Sequence, residues 1–184
     1  MRWIVLVALI TLMPGCADLL SVHSLATAES LTFDESLLGE WECAPKECKG
    51  TAYLRADAAA RKTYDIVWVP GEGSDEPLRL RGQLVRVGSR IVLDLVTAKR
   101  ADMAVPGHFF LLMQKRDDGL TFQWLDSEWL RQEAMGANGV AHTMIDDKPV
   151  LTAGSTAVQA FLLKFGQDSR AVSGGMVFKR TKRG

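Results

Sequence analysis

From Leu38 onward the chain breaks into short runs rich in Val, Ile, Leu, Phe and Trp, separated by clusters of Gly, Pro, Asp and Ser about every ten residues. That spacing marks a β meander. We read strands over residues 38–43, 51–56, 63–69, 78–87, 90–96, 108–115, 120–125, 140–145, 149–152 and 176–179. Between them, residues 70–75 form a polar loop and Gly88-Ser89 suits a tight hairpin. Asp117-Asp118-Gly119 supplies a glycine where hairpins favour positive φ. The run from Leu78 to Arg86 alternates up to Gly82 and then slips, which predicts a bulge or bend there. Two segments carry a helical period instead. One, Ser127 to Met135, follows Asp126 as a possible N-cap and ends at Gly136. The other, Ser155 to Phe165, aligns Val158, Phe161, Leu162 and Phe165 on one stripe and ends at Gly166. The fold class is therefore mainly β: an antiparallel meander closing into a barrel, with two short α-helices in the last third.

The central strands are apolar on both faces, as in Ile91-Val92-Leu93-Asp94-Leu95-Val96 and Phe109-Phe110-Leu111-Leu112-Met113. A strand wetted on one side alternates more cleanly. One face should line the interior of a curled sheet, and the other should be covered by the helices or by a partner. Asp94 interrupts this pattern. If its face is buried it needs a cation or donors, for which Arg81 or Arg90 are candidates; otherwise it faces solvent.

The amino terminus has the plan of an export signal: Arg2, an apolar run from Trp3 to Met13, then Pro14 and Gly15. The run is about half of the roughly 20 apolar residues needed to span a bilayer. Leu12-Met13-Pro14-Gly15-Cys16 resembles a bacterial lipobox, in which cleavage precedes a lipid-modified cysteine. The resemblance implies that Cys16 becomes the lipidated amino terminus. The other reading is an ordinary secretory signal, with Cys16 discarded. In Gram-negative lipoprotein families an aspartate directly after that cysteine commonly means inner-membrane retention, so Ala17 points to the outer membrane. The expected divisions are a signal peptide over 1–15, a lipidated flexible tether over 16–36, a barrel domain over 37–181 and a basic tail over 182–184.

Removal of the first 15 of the 184 residues leaves 169, which suits one domain with a real core. Loss of Arg2 from a chain with 22 basic and 22 acidic residues leaves a formal charge near −1. Basic residues are dispersed except for Lys179-Arg180-Thr181-Lys182-Arg183, read as a solvated chain end, so no nucleic-acid partner is implied. Cys43 and Cys48 flank Ala-Pro-Lys-Glu, and in an oxidising compartment they read as a disulfide closing a short turn. A redox-active pair usually shows two intervening residues. A zinc site would need two further ligands, and His108 and His142 are far apart in the sequence.

Leu38-Gly39-Glu40-Trp41 opens the meander, and a Gly-x-Trp in that position resembles the first-strand motif of lipocalin-like barrels. The resemblance implies a lipocalin-like barrel in which Gly39 and Trp41 close one end. The chain is also similar to uncharacterised bacterial lipoproteins that combine a lipobox, Gly-x-Trp, a strand ending Leu93-Asp94-Leu95, a Pro106-Gly107-His108-Phe109 strand and a helix from Asp126 to Leu130. That likeness names no activity.

No nucleophile with a base, paired carboxylates, metal cluster or phosphate-cradling loop has usable spacing, so no catalytic residue, metal ligand or cofactor is expected. His108 and His142 read as hydrogen-bonded structural histidines. The expected function is the binding of a lipid or other hydrophobic molecule in a barrel lined by Tyr64, Trp68, Phe110 and Trp124. The alternative is a filled barrel docking on an envelope protein complex through its sheet face or helices, with Trp129 as an anchor.

Overall fold

The computed structural model describes residues 20–43, 48–71, 76–97, 107–117, 119–135, 139–145, 148–165 and 168–183. The export signal, Cys16, the loop over 72–75, Asp118 and the helix ends at Gly136 and Gly166 lie outside the described residues. The strands are β1 (Leu20–Ser21), β2 (Leu31–Thr32), β3 (Gly39–Cys43), β4 (Gly50–Ala56), β5 (Thr63–Pro70), β6 (Leu78–Val87), β7 (Arg90–Thr97), β8 (His108–Arg116), β9 (Gly119–Leu125), β10 (His142–Ile145), β11 (Lys148–Leu151) and β12 (Val172–Arg183). Helix α1 (Ser127–Met135) follows β9 and α2 (Ser155–Phe165) follows β11.

Strands β3 to β9 form consecutive antiparallel pairs, and β12 pairs with both β9 and β3, closing an eight-stranded barrel. Closure satisfies the backbone groups that an open sheet leaves at its edges. β1, β11 and β10 extend the sheet outward from β8.

Alternation along each strand divides the apolar side chains into two cores. Leu93, Leu95, Leu111 and Met113 point inward, with Leu54, Ile66, Leu84, Leu120, Phe122 and Phe178. Val85, Val87, Val92, Phe110 and Leu112 point outward and are covered by Leu25, by Trp129 and Leu130 of α1, and by Val158, Phe161 and Leu162 of α2. This is why β7 and β8 are apolar on both faces. Asp126 caps α1, its Oδ1 accepting from the Trp129 N–H at 2.7 Å.

Three expectations change. Gly82 causes no slip in the β5–β6 or β6–β7 registers. It faces inward, where a Cβ would lie 2.8 Å from Ile66 Cδ1 and 3.1 Å from Leu93 Cδ1, so the missing side chain leaves room for its neighbours. The basic tail is strand: β12 runs to Arg183, with bulges between Ser173 and Met176 and between Arg180 and Lys182. The stretch from Leu20 to Ser36, expected to belong to a flexible tether, lies against the barrel. Leu25 is fully buried, and Gln159 Nε2 donates to Leu25 O at 2.7 Å and to Ser30 Oγ at 2.8 Å.

Candidate functional site

The hairpin turns over 57–62 and 88–89, with the end of β8 and the start of β9, lie at one end of the barrel, and that end is shut. Trp41 crosses it, almost fully buried, with Nε1 donating to Leu37 O at 2.8 Å. The Arg180 guanidinium lies 4.2 Å from the Trp41 ring centroid and donates to Leu38 O at 2.8 Å and to Ser36 O. The cation thus stacks on the indole while its donors hold the short 3₁₀ turn over Glu35–Leu37 across the opening. Gly39, at φ +129°, lets the chain turn from that helical turn into β3.

Above Trp41 lies a cavity of about 290 Å³. Its walls are Ala52, Leu54, Ile66, Leu93, Leu95, Leu111, Leu120, Phe122 and Phe178. At the opposite end it reaches Cys48, Trp68, Leu78, Leu80, Trp124 and Met176. Those rim residues are half-buried or exposed, Leu78 being 46% exposed, so this end is the mouth. No charged side chain enters the lining. Eight strands leave room either for interlocking side chains or for one small ligand, and here the half near Trp41 is filled and the half near the mouth is open.

Of the four aromatic residues expected to line a ligand site, the cavity brings together Trp68 and Trp124. Tyr64 is inside the barrel but below the cavity, at the shut end. Its ring stacks on Phe33 at 4.6 Å, and its hydroxyl donates to Asp34 O at 3.0 Å and accepts from Asp34 N at 2.8 Å. Burial pushes its pKa up to about 12. Phe110 is outside the barrel altogether, in the outer core, because Phe109 takes the inward position on β8. An unbroken apolar run hides that register: either phenylalanine could have faced inward. Cys43 and Cys48 stand at disulfide distance, with Cα atoms 5.7 Å apart, and Cys48 reaches the rim. Trp129 is buried against Phe161 and cannot serve as a surface anchor.

A second, polar cluster lies on the outer wall. Asp94 is 3% exposed and saturated with donors: Ser24 Oγ and the Leu25 N–H reach Oδ2 at 2.7 Å each, and His108 Nδ1 is 2.8 Å from Oδ1. Neither arginine considered for it takes part; Arg81 pairs with Asp57 at 3.4 Å. Thr63, Arg81, Gln83 and His108 border a shallow cleft of about 200 Å³ beside Asp94. The Ser24 hydroxyl is spent on the carboxylate rather than on the imidazole, so the trio lacks the nucleophile-to-base contact of acyl-transfer chemistry. Its evident work is to fasten the segment from Leu20 to Ser30 to the barrel. His142 Nδ1 lies 2.8 Å from Val140 O, away from this cluster. Among the described residues no three His, Cys, Asp or Glu side chains are grouped to hold a metal ion. Comparison with protein-family models, with curated proteins and with solved structures finds no match, so the chemistry of the two sites themselves is the ground for a functional reading.

Proposed function

We propose that this chain is a lipid-anchored cell-envelope protein, delivered to the outer membrane through Cys16, whose barrel holds a hydrophobic small molecule or the acyl chain of a lipid. The observation that carries the reading is the cavity above Trp41: about 290 Å³, apolar on every wall, and reached through a mouth of Trp68, Leu78, Trp124 and Met176. It falls just below the roughly 300–1,000 Å³ typical of ligand pockets. That volume suits a single chain rather than a whole phospholipid. A buried eight-carbon chain contributes about 6 kcal/mol at ~0.8 kcal/mol per methylene. Association takes back several kcal/mol of this, so affinity should be modest. It should rise with chain length until the cavity is full.

Three of the four tryptophans beyond the signal line the cavity, which makes indole fluorescence a direct reporter. Titration with fatty acids of increasing length should shift the emission, with affinity climbing and then levelling. Native mass spectrometry of protein from an exporting host should release co-purified hydrophobic molecules on unfolding. Ala52→Phe, which places a ring in the cavity, should fold and lose both responses. A clean apo mass together with no fluorescence response over a chemically broad panel would sink the reading.

A further inference from the structure

We propose that the mouth of the barrel, not its shut end, faces the membrane, so that the cavity takes its occupant directly from the bilayer. The proposal rests on the lipid anchor and the apolar cavity read above. Its own ground is the place where the packed chain begins. Ser21 pairs with His108, the first residue of β8 and thus its mouth end. Leu20 fills the space beside Gly107, where a Cβ would lie 2.8 Å from Leu20 Cδ2. Strand β1 is held on its other side by β11, and the chain that follows is fixed by Asp94. Leu20, the first described residue, is therefore a fixed point near the mouth.

Four peptide steps separate Cys16 from Leu20, and even fully extended they span at most about 14 Å. Strands of eight residues at about 3.3 Å per residue, tilted by roughly 40°, make the barrel about 20 Å tall. The shut end begins farther from the attachment point than that tether can reach. What the tether brings to the bilayer is the rim, where Leu78 is 46% exposed and Trp68 and Trp124 are half-buried. Tryptophan and exposed apolar side chains favour the membrane interface. An acyl chain entering there would pass from one apolar medium to another without crossing water.

The test uses the full acylated chain in phosphatidylcholine vesicles that carry an acceptor dye on a fraction of the headgroups. A donor dye is attached to Glu76→Cys beside the mouth or to Ser89→Cys in a hairpin at the shut end, both exposed positions outside the cavity lining. With the protein floating with the vesicles, we expect the larger loss of donor fluorescence at position 76. Inserting 20 Gly/Ser residues between Ala17 and Asp18 adds a coil of about 25 Å root-mean-square span and should erase the difference. Equal loss at the two positions, or greater loss at 89, would overturn the orientation while leaving anchor and cavity intact. A difference that survives the insertion would remove the tether as its cause and overturn the proposal in that form. A chain that carries no acyl mass and does not float would overturn the anchor and this orientation together.

Discussion

A carboxyl group enclosed between a barrel wall and a covering segment needs hydrogen-bond partners. Asp94 has three of them. Because its partners come from Ser24, Leu25 and His108, removing the carboxylate orphans a buried N–H and loosens the whole segment. Asp94→Ala should cost about 2–4 kcal/mol. Urea denaturation measures that cost, and faster hydrogen exchange at residues 24–26 would locate it; unchanged exchange there would refute the fastening role. Tyr64 makes a prediction of opposite chemical character. Its folded pKa lies above its unfolded value of about 10, so its contribution is complete below pH ~10. Between pH 10 and 12 the unfolded chain loses a proton that the folded chain keeps, and stability falls as pH rises. Tyr64→Phe should remove that alkaline slope while costing about 1–3 kcal/mol at neutral pH, since the Asp34 N–H and C=O lose their partner. An unaltered slope in denaturation midpoints from pH 9 to 12 would exclude Tyr64 as its source. The need of Asp94 for donors is legible in the sequence, but their identity is not, because Ser24 and Leu25 lie 70 and 69 positions upstream in a stretch with no periodicity and His108 lies 14 positions downstream.

At the level of elements, α2 shows how the outer core is assembled. Val158, Phe161 and Leu162 cover the outward faces of β6, β7 and β8, and Ser155 and Gln159 bond the backbone at Ser24 and Leu25. Phe161→Ala should therefore cost about 3–5 kcal/mol, the range for deleting a buried aromatic ring. Calorimetry would check it, and a loss below 1 kcal/mol would mean that α2 is not integral to the fold. Both helices and seven of the eight barrel strands are written in the sequence by period and turn residues, to within a residue or two at most ends. β12 is the exception. Its Gly174-Gly175 and its run of basic residues look like loop and tail, yet closure of the barrel recruits twelve residues into strand. β1 and β2 are two residues each, too short to leave a periodic trace. The inward register of β8 was illegible for the same reason that the strand is well buried: every position from Phe109 to Met113 is apolar. Hence the cavity positions of Trp68 and Trp124 are legible in the sequence while the outward side of Phe110 is not.

For the molecule as a whole, the two layers divide the work. The inner core supplies a cavity and its floor, while the outer core and the Asp94 cluster fix the segment from Leu20 to Leu25 relative to the mouth. Closure joins opposite ends of the sequence: Arg180 and Leu38, bonded at the shut end, are 142 positions apart. Synthesis begins at the amino terminus, so the strand that completes the cylinder is the last of the eight to arrive. Until it does, β3 and β9 each present a free row of backbone donors and acceptors, and Trp41 has no cation above it. The barrel therefore cannot be finished until β12 has emerged, however early its first seven strands do. Such a chain is most exposed to chaperones, proteases and its own neighbours in the interval before that closing strand arrives.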